Sequence, residues 1–385
     1  MFKRNLIAVS LTLAALASAQ ASAAVVGGGA TLPQGLYQEP GVLSSGFTPY
    51  VGTGSGTGKT AFFSNNGSLF NQPGATVDYA GSDSVVSQAE LDAYNSQSAA
   101  LYGPLVQLPS AATSVTVPYN VTGLNSLDLT SEQLADIFAG NITDWSDSRL
   151  GLGITGPRPI TVVYRQDGSG TSEIFLRHLN AVAPTVVTGV SNTFASVITP
   201  VAGFHLPATG SSGVASTVAA TADAIGYVGP DAVDFDNPAE VVRVKRSDSD
   251  PEGLLPSEVN VTVALNSVSI PVGGDAEDPL AWVPAAALAN PDAGYPIVGV
   301  TNLIFSQCYQ DTAAGGDLAN IQDFLTRHYS ANPAVNNDPA ISAHSLIPLP
   351  AAWKAAVRNN FVTNQSGNGL DIGNTSVCNG IGRPL

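Results

Sequence analysis

The stretch 161–172, Thr-Val-Val-Tyr-Arg-Gln-Asp-Gly-Ser-Gly-Thr-Ser, gathers one cation, one carboxylate and a run of small hydroxyl and glycine residues. A β-branched segment leads in, and a helical pattern from Glu173 to Leu179 leads out. That order places a guanidinium beside the unpaired N–H groups and the positive dipole end of a helix N-terminus, a setting that favours an anion. Arg165 can grip an oxyanion in bidentate fashion, and Asp167 can hold the guanidinium in place. The chemistry this predicts is recognition of an oxyanion, with phosphate the leading choice.

Three earlier segments can meet the same ligand. Residues 27–36, Gly-Gly-Gly-Ala-Thr-Leu-Pro-Gln-Gly-Leu, make a glycine-rich turn into a helix. Pro33 suits the first helical position and Thr31 stands near its cap. Residues 52–60, Gly-Thr-Gly-Ser-Gly-Thr-Gly-Lys-Thr, carry the Gly-Lys-Thr of a nucleotide loop. Thr53 occupies the position that loop needs as glycine, so a simpler cradle with a Ser55 hydroxyl fits better. Residues 78–84, Asp-Tyr-Ala-Gly-Ser-Asp-Ser, put Asp83 just after a short strand. Alone it reads as a turn former. Beside phosphate it accepts the proton that monohydrogen phosphate keeps, whereas sulfate, lacking one, would face an unanswered negative charge.

The chemistry of metals and nucleophiles finds less support. His178, His205, His328 and His344 are scattered without ligand spacing, and Ser82-Asp83-Ser84 has no evident base. No metal and no cofactor are expected. Asp248, Asp250 and Glu252 echo the start of a calcium loop, but Val259 stands where its glutamate belongs and Pro251 interrupts it.

The elements that must position these residues alternate in type. Strands are expected at 77–80, 114–118, 160–164, 225–228 and 295–305, and helices at 131–138, 172–179, 321–328 and 351–361. Thr130 with Gln133 forms a capping-box pattern. This alternation predicts an α/β architecture. The acidic, proline-rich stretches 247–256 and 271–279 read as surface linkers.

Composition bounds the setting. Lys3 and Arg4, the apolar run Leu6 to Leu16, and Ala21-Ser22-Ala23 describe a signal peptide over residues 1–23, so export is expected, to the periplasm or beyond the cell. About 360 mature residues favour two domains. Without Lys3 and Arg4, 12 basic residues face 30 acidic ones, which speaks against nucleic acid as a partner. An anion site on such a chain must rest on local dipoles and one arginine, with distant charge screened beyond roughly 8–10 Å. Two cysteines, Cys308 and Cys378, in an exported chain read as a disulfide tying the tail to the body.

The four segments, in this order, resemble the periplasmic phosphate-binding subunits of ABC transporters, and most closely the DING proteins, an exported branch of that family. The likeness extends to 295–308, Tyr-Pro-Ile-Val-Gly-Val-Thr-Asn-Leu-Ile-Phe-Ser-Gln-Cys, and to the tail at 373–385, Gly-Asn-Thr-Ser-Val-Cys-Asn-Gly-Ile-Gly-Arg-Pro-Leu. The branch's Asp-Ile-Asn-Gly start is replaced by Ala24-Val25-Val26-Gly27. The resemblance implies a two-lobed type II-like periplasmic-binding fold, with residues 24–112 and 250–385 as one lobe and 113–249 as the other. It implies phosphate held in the cleft by Thr31, the Leu32 amide, Ser55, Asp83, Arg165, Ser169, Gly170 and Thr171, with Asp167 orienting the arginine. Hinge closure would bury the ligand. Arsenate would enter as an analogue, an ABC transporter permease would be the partner, and the protein would be a monomer. Some DING proteins are associated with phosphoester hydrolysis. The alternative activity is therefore an alkaline phosphatase of low turnover in the same cleft. Asp83 would then carry the proton, and Arg165 would stabilise developing charge.

Overall fold

The computed structural model describes residues 24–383; the segment 1–23 read as a signal peptide lies outside the described residues. Two sheets organise the chain. The first has five strands in the order Val51–Gly52, Gly27–Gly29, Tyr79–Ser82, Val298–Ser306 and Leu105–Ser114. Its first three strands run parallel, and Val298–Ser306 is antiparallel to both neighbours. The second sheet has the order Tyr119–Asn120, Ala224–Gly226, Thr161–Arg165 and His205–Ala208, with the last three parallel. A smaller parallel pair joins Asp128–Thr130 to Arg243–Lys245.

Parallel neighbours need crossover connections, and helices supply them. Ser55–Phe63 follows strand Val51–Gly52, Gly170–Val182 follows Thr161–Arg165, and Gly210–Ala220 follows His205–Ala208. Helix Ser131–Phe138 forms as expected, with both halves of the Thr130–Gln133 capping box present. Helix Gly170–Val182 extends the expected 172–179 at both ends because Ser169 caps it, its hydroxyl accepting from the Ser172 N–H at 3.2 Å. Pro33 sits one place earlier than expected, at the cap of the short helix Gln34–Gln38.

The strand expected at 114–118 is displaced. The continuous strand is Leu105–Ser114, and 115–118 crosses toward the second sheet, with Thr116 bridging Val228 and Pro118 bridging Val241. Pro109 is tolerated because the strand lies at the sheet edge and the register shifts opposite Thr301 and Asn302.

Each sheet has its own core. Phe138, Phe175 and Tyr227 pack beside the second sheet, the last two rings stacked with centroids 4.8 Å apart. Tyr79, Phe305, Tyr309 and Phe324 pack beside the first. The segment after residue 250 serves both cores: Val261, Leu265, Leu288 and Tyr295 join the former, Ala276 and Trp282 the latter.

Cys308 and Cys378 are joined, with their Cα atoms 5.2 Å apart. Beyond the bridge the fully buried Arg383 lies between the rings of Phe62 and Tyr102, 4.1 and 4.3 Å from their centroids. Its guanidinium donates to Ser306 Oγ at 2.7 Å and to the Phe62 carbonyl at 3.1 Å, so a buried charge is both stacked and hydrogen-bonded. Among the described residues no helix is long and apolar enough to cross a membrane.

Candidate functional site

In sheets of this kind ligands gather beyond the carboxyl ends of parallel strands. Gly27–Gly29, Val51–Gly52 and Tyr79–Ser82 are adjacent and parallel, so the turns after them bring Thr31, Ser55 and Asp83 to one edge. The second sheet does the same. Strand Thr161–Arg165 ends in Arg165 itself and leads to Asp167 and Ser169, His205–Ala208 leads to Ser211, and Ala224–Gly226 to Tyr227.

The two edges touch. The Gly56 amide donates to the Gly168 carbonyl at 3.1 Å. Gly54 has φ of 88°, and a methyl group there would lie 2.6 Å from the Gly168 oxygen and 2.9 Å from Asp167 Oδ2. Glycine alone permits both that backbone and that approach. The two segments read from sequence as halves of one cradle are thus in direct contact.

Arg165 is almost wholly buried, at 2 % exposure. Its Nε donates to Asp167 Oδ1 at 2.8 Å and its Nη2 to Asp167 Oδ2, a bidentate fork that fixes the guanidinium plane. Its Nη1 reaches toward Ser211 Oγ at 3.5 Å, leaving that end of the group available to an anion. Asp167 also accepts from the Gly210 N–H at 3.2 Å. Burial works to raise the Asp167 carboxyl, yet the arginine's bond and charge hold it below the ordinary carboxylate range. The orienting role expected for Asp167 has this geometry.

Asp83 is buried and takes its backbone position from Ser55, whose Oγ accepts the Asp83 N–H at 3.0 Å. That bond uses a lone pair of the Ser55 oxygen and leaves its hydroxyl proton to donate. Burial pushes the Asp83 carboxyl up to about 7, against the Thr301 hydroxyl, the Arg165 charge and the Ser55 hydroxyl, which pull it down. Among the described residues Thr31 Oγ1, Thr171 Oγ1, Thr301 Oγ1 and Asp83 Oδ1 are buried here without a hydrogen-bond partner, the Thr301 hydroxyl facing the Asp83 carboxyl. Buried polar atoms are usually satisfied, so this grouping favours a polar ligand. It comprises three hydroxyls able to donate and one carboxylate able to accept, a set suited to an oxyanion that carries one proton.

Ser169 caps its helix and Gly170 and Thr171 open it, where backbone N–H groups lack intrahelical partners. Leu32 is buried in the turn just before the helix Gln34–Gln38, where it can offer only its backbone N–H. Lys59, the lysine of the nucleotide-like loop, is bonded to the Val85 carbonyl at 2.9 Å and to Glu90 at 3.0 Å, a structural pairing. The histidines have separate partners: His178 bonds Ser131 and Ala289, His205 bonds Phe138, His328 bonds Ser110, and His344 bonds Glu39.

Sequence reasoning missed Tyr227 and Ser211. The Tyr227 hydroxyl accepts the Arg165 N–H at 3.1 Å and bonds Ser172 Oγ at 2.6 Å, tying strand end to helix start. Nothing in its spacing marks it. Ser211 lines a cavity of about 260 Å³ with Thr31, Gln34, Gln38, Ser212 and Asp231.

Comparison with known proteins agrees with this geometry. The family model described as "PBP superfamily domain" matches residues 16–324. The chain is 49 % identical over 392 residues to "Alkaline phosphatase L" of Pseudomonas aeruginosa, covering all of both chains. It is 43 % identical over 386 residues to a "Phosphate-binding protein" of an unknown prokaryotic organism, covering 93 % of this chain and 99 % of that one. Among solved structures, a high affinity periplasmic phosphate-binding protein, PfluDING, bound with phosphate, superposes with a TM-score of 0.85 at 43 % identity, covering 94 % of this chain and all of the other. The fold and cleft are those of a two-lobed periplasmic-type binding protein. The chain belongs to the PBP superfamily, on its DING phosphate-binding branch.

Proposed function

We propose that this chain is an exported, high-affinity binding protein for inorganic phosphate, serving phosphate acquisition. Phosphate is held between the lobes by the Thr31, Ser55, Ser169 and Thr171 hydroxyls, the Leu32 and Gly170 amides, and the Arg165 guanidinium. Asp83 accepts the proton of monohydrogen phosphate. The lobes are residues 24–112 with 250–385, and 113–249, the segment after 250 lending side chains to both cores. The observation that supports the reading most is the group of unpartnered buried atoms, Thr31 Oγ1, Asp83 Oδ1, Thr171 Oγ1 and Thr301 Oγ1, beside a buried, pre-oriented Arg165. Delivery to an ABC transporter permease belongs to the same reading. Titration calorimetry on protein stripped of phosphate tests it. Phosphate and arsenate should bind far more tightly than sulfate, and equal affinity for phosphate and sulfate would contradict the role of Asp83.

A second reading is favoured by the full-length relatives named alkaline phosphatase L, 49 % and 44 % identical. In it the same cleft hydrolyses phosphomonoesters slowly. Arg165 and the helix starts stabilise charge on the phosphoryl oxygens, and Asp83 carries the proton. Hydrolysis of a chromogenic phosphoester that survives Asp83→Asn and Arg165→Ala unchanged would place the activity elsewhere.

A further inference from the structure

The loop that carries Asp83 is bonded at nearly every residue. Ser82 Oγ donates to the Ser84 carbonyl at 2.6 Å, the Asp83 N–H to Ser55, and the Val86 N–H to Gln107 Oε1 at 2.8 Å. The Val85 carbonyl accepts from Lys59 Nζ at 2.9 Å. All of these partners lie with the first sheet. One partner does not: Glu173, in the first turn of helix Gly170–Val182, which follows the central strand of the second sheet. Its Oε2 accepts from the Ser84 hydroxyl and its Oε1 from the Val85 N–H at 3.1 Å. Arg177, one turn along the same helix, pairs with Oε1. Ser84 is fully buried and Glu173 is 7 % exposed, so these bonds are made away from water.

Resting on the phosphate-binding reading, we propose that Glu173 is a positioning residue: its carboxylate latches the Asp83 loop to the opposite lobe when the cleft closes, and so sets how long phosphate stays bound. A carboxylate clasping both a hydroxyl and an amide is a charge-assisted pair, stronger than neutral hydrogen bonds. Because donor and acceptor belong to different lobes, the pair can contribute only in the closed form. It thereby shifts the open–closed equilibrium by its full differential strength. Arg177 holds the carboxylate ready on the helix in either form.

The test uses the full mature chain, with phosphate release followed by stopped flow and affinity by calorimetry. Glu173→Gln and Ser84→Ala should each speed phosphate release by about 10-fold or more, while the association rate changes little. The double variant should lose no more than the worse single one, so the two positions couple in phosphate affinity. In ligand-free protein, where the lobes can part, the same pair should show no coupling in unfolding temperature. A merely structural contact would couple equally in both measurements, and that outcome overturns the proposal, as does unchanged release from Glu173→Gln. Failure of the phosphate reading itself would look different: the parent protein would not bind phosphate at all.

Discussion

A methyl group on Gly170 would lie 2.3 Å from the Cβ of Asp83 and 2.4 Å from the Ser84 amide nitrogen. The start of helix Gly170–Val182 is therefore pressed against the loop that carries Asp83, and only the absence of a side chain allows it. On the proposed reading, that contact joins the two sheet edges into one enclosed phosphate site.

Gly170→Ala should consequently weaken phosphate binding by 100-fold or more, on the order of 3 kcal/mol. Alanine is the better helix former, so the ligand-free protein should unfold at the same temperature or slightly higher. Calorimetry alongside thermal unfolding separates the two effects. Normal affinity in this variant would mean that the lobes need not meet at Gly170.

Arg165→Ala should cost about 2–5 kcal/mol of phosphate affinity, because a buried charged hydrogen-bonding group is lost and Asp167 is left behind. Asp167→Asn keeps the cation and loosens its aim, so its loss should be clearly smaller. Reversal of that order in a calorimetric series would contradict the division of roles between the two.

Asp83 also makes a prediction about stability. Folding lifts its carboxyl from an ordinary 3.8 to about 7, chiefly by burial. Between those values the native chain holds more proton than the unfolded one. The group's contribution is therefore largest below about pH 4 and is lost as pH rises through about 7. Asp83→Asn removes that loss. Ligand-free Asp83→Asn should be more stable than the parent at pH 8, by roughly 4 kcal/mol at most and by less as an open cleft rehydrates the carboxyl, with the difference closing toward pH 4. Asp78, lifted to about 8 by burial, has the same sign in both proteins and drops out of the comparison. A difference independent of pH would refute the assignment.

The tail should matter for stability and little for binding. Cys308 and Cys378 close a long loop, and removing such a bridge typically costs about 2–5 kcal/mol. Arg383→Ala empties the space between Phe62 and Tyr102 and leaves the Ser306 and Phe62 oxygens without their donor. Its cost should be about 3 kcal/mol or more. Thiol titration of the unreduced, denatured protein should find no free thiol.

Much of the proposed site is legible in the sequence because helix starts announce themselves. Gly-Ser-Gly-Thr after a β-branched strand, with one arginine and one aspartate between, could be read locally. The strands of the first sheet were harder. Gly27–Gly29 carries no side chains and hence no alternation, and Leu105–Ser114 is buried along its whole length and contains Pro109. Neither shows the period-two pattern by which half-buried strands are recognised. Tyr227, Ser211 and Glu173 reach the proposed site only through tertiary contact. Tyr227 and Ser211 follow the two strands that flank Thr161–Arg165 in the sheet and lie far from it in sequence, and Glu173 meets its partners beside the first sheet. No local spacing could place them.

The most direct test is a crystal structure of the mature protein with phosphate at neutral pH. The phosphorus should lie between the lobes, with its oxygens within hydrogen-bonding distance of Thr31, Ser55, Asp83, Arg165 and the 169–171 helix start, the shortest contact being to Asp83. Phosphate bound outside that cleft, or in it without Arg165 and Asp83, would contradict the account.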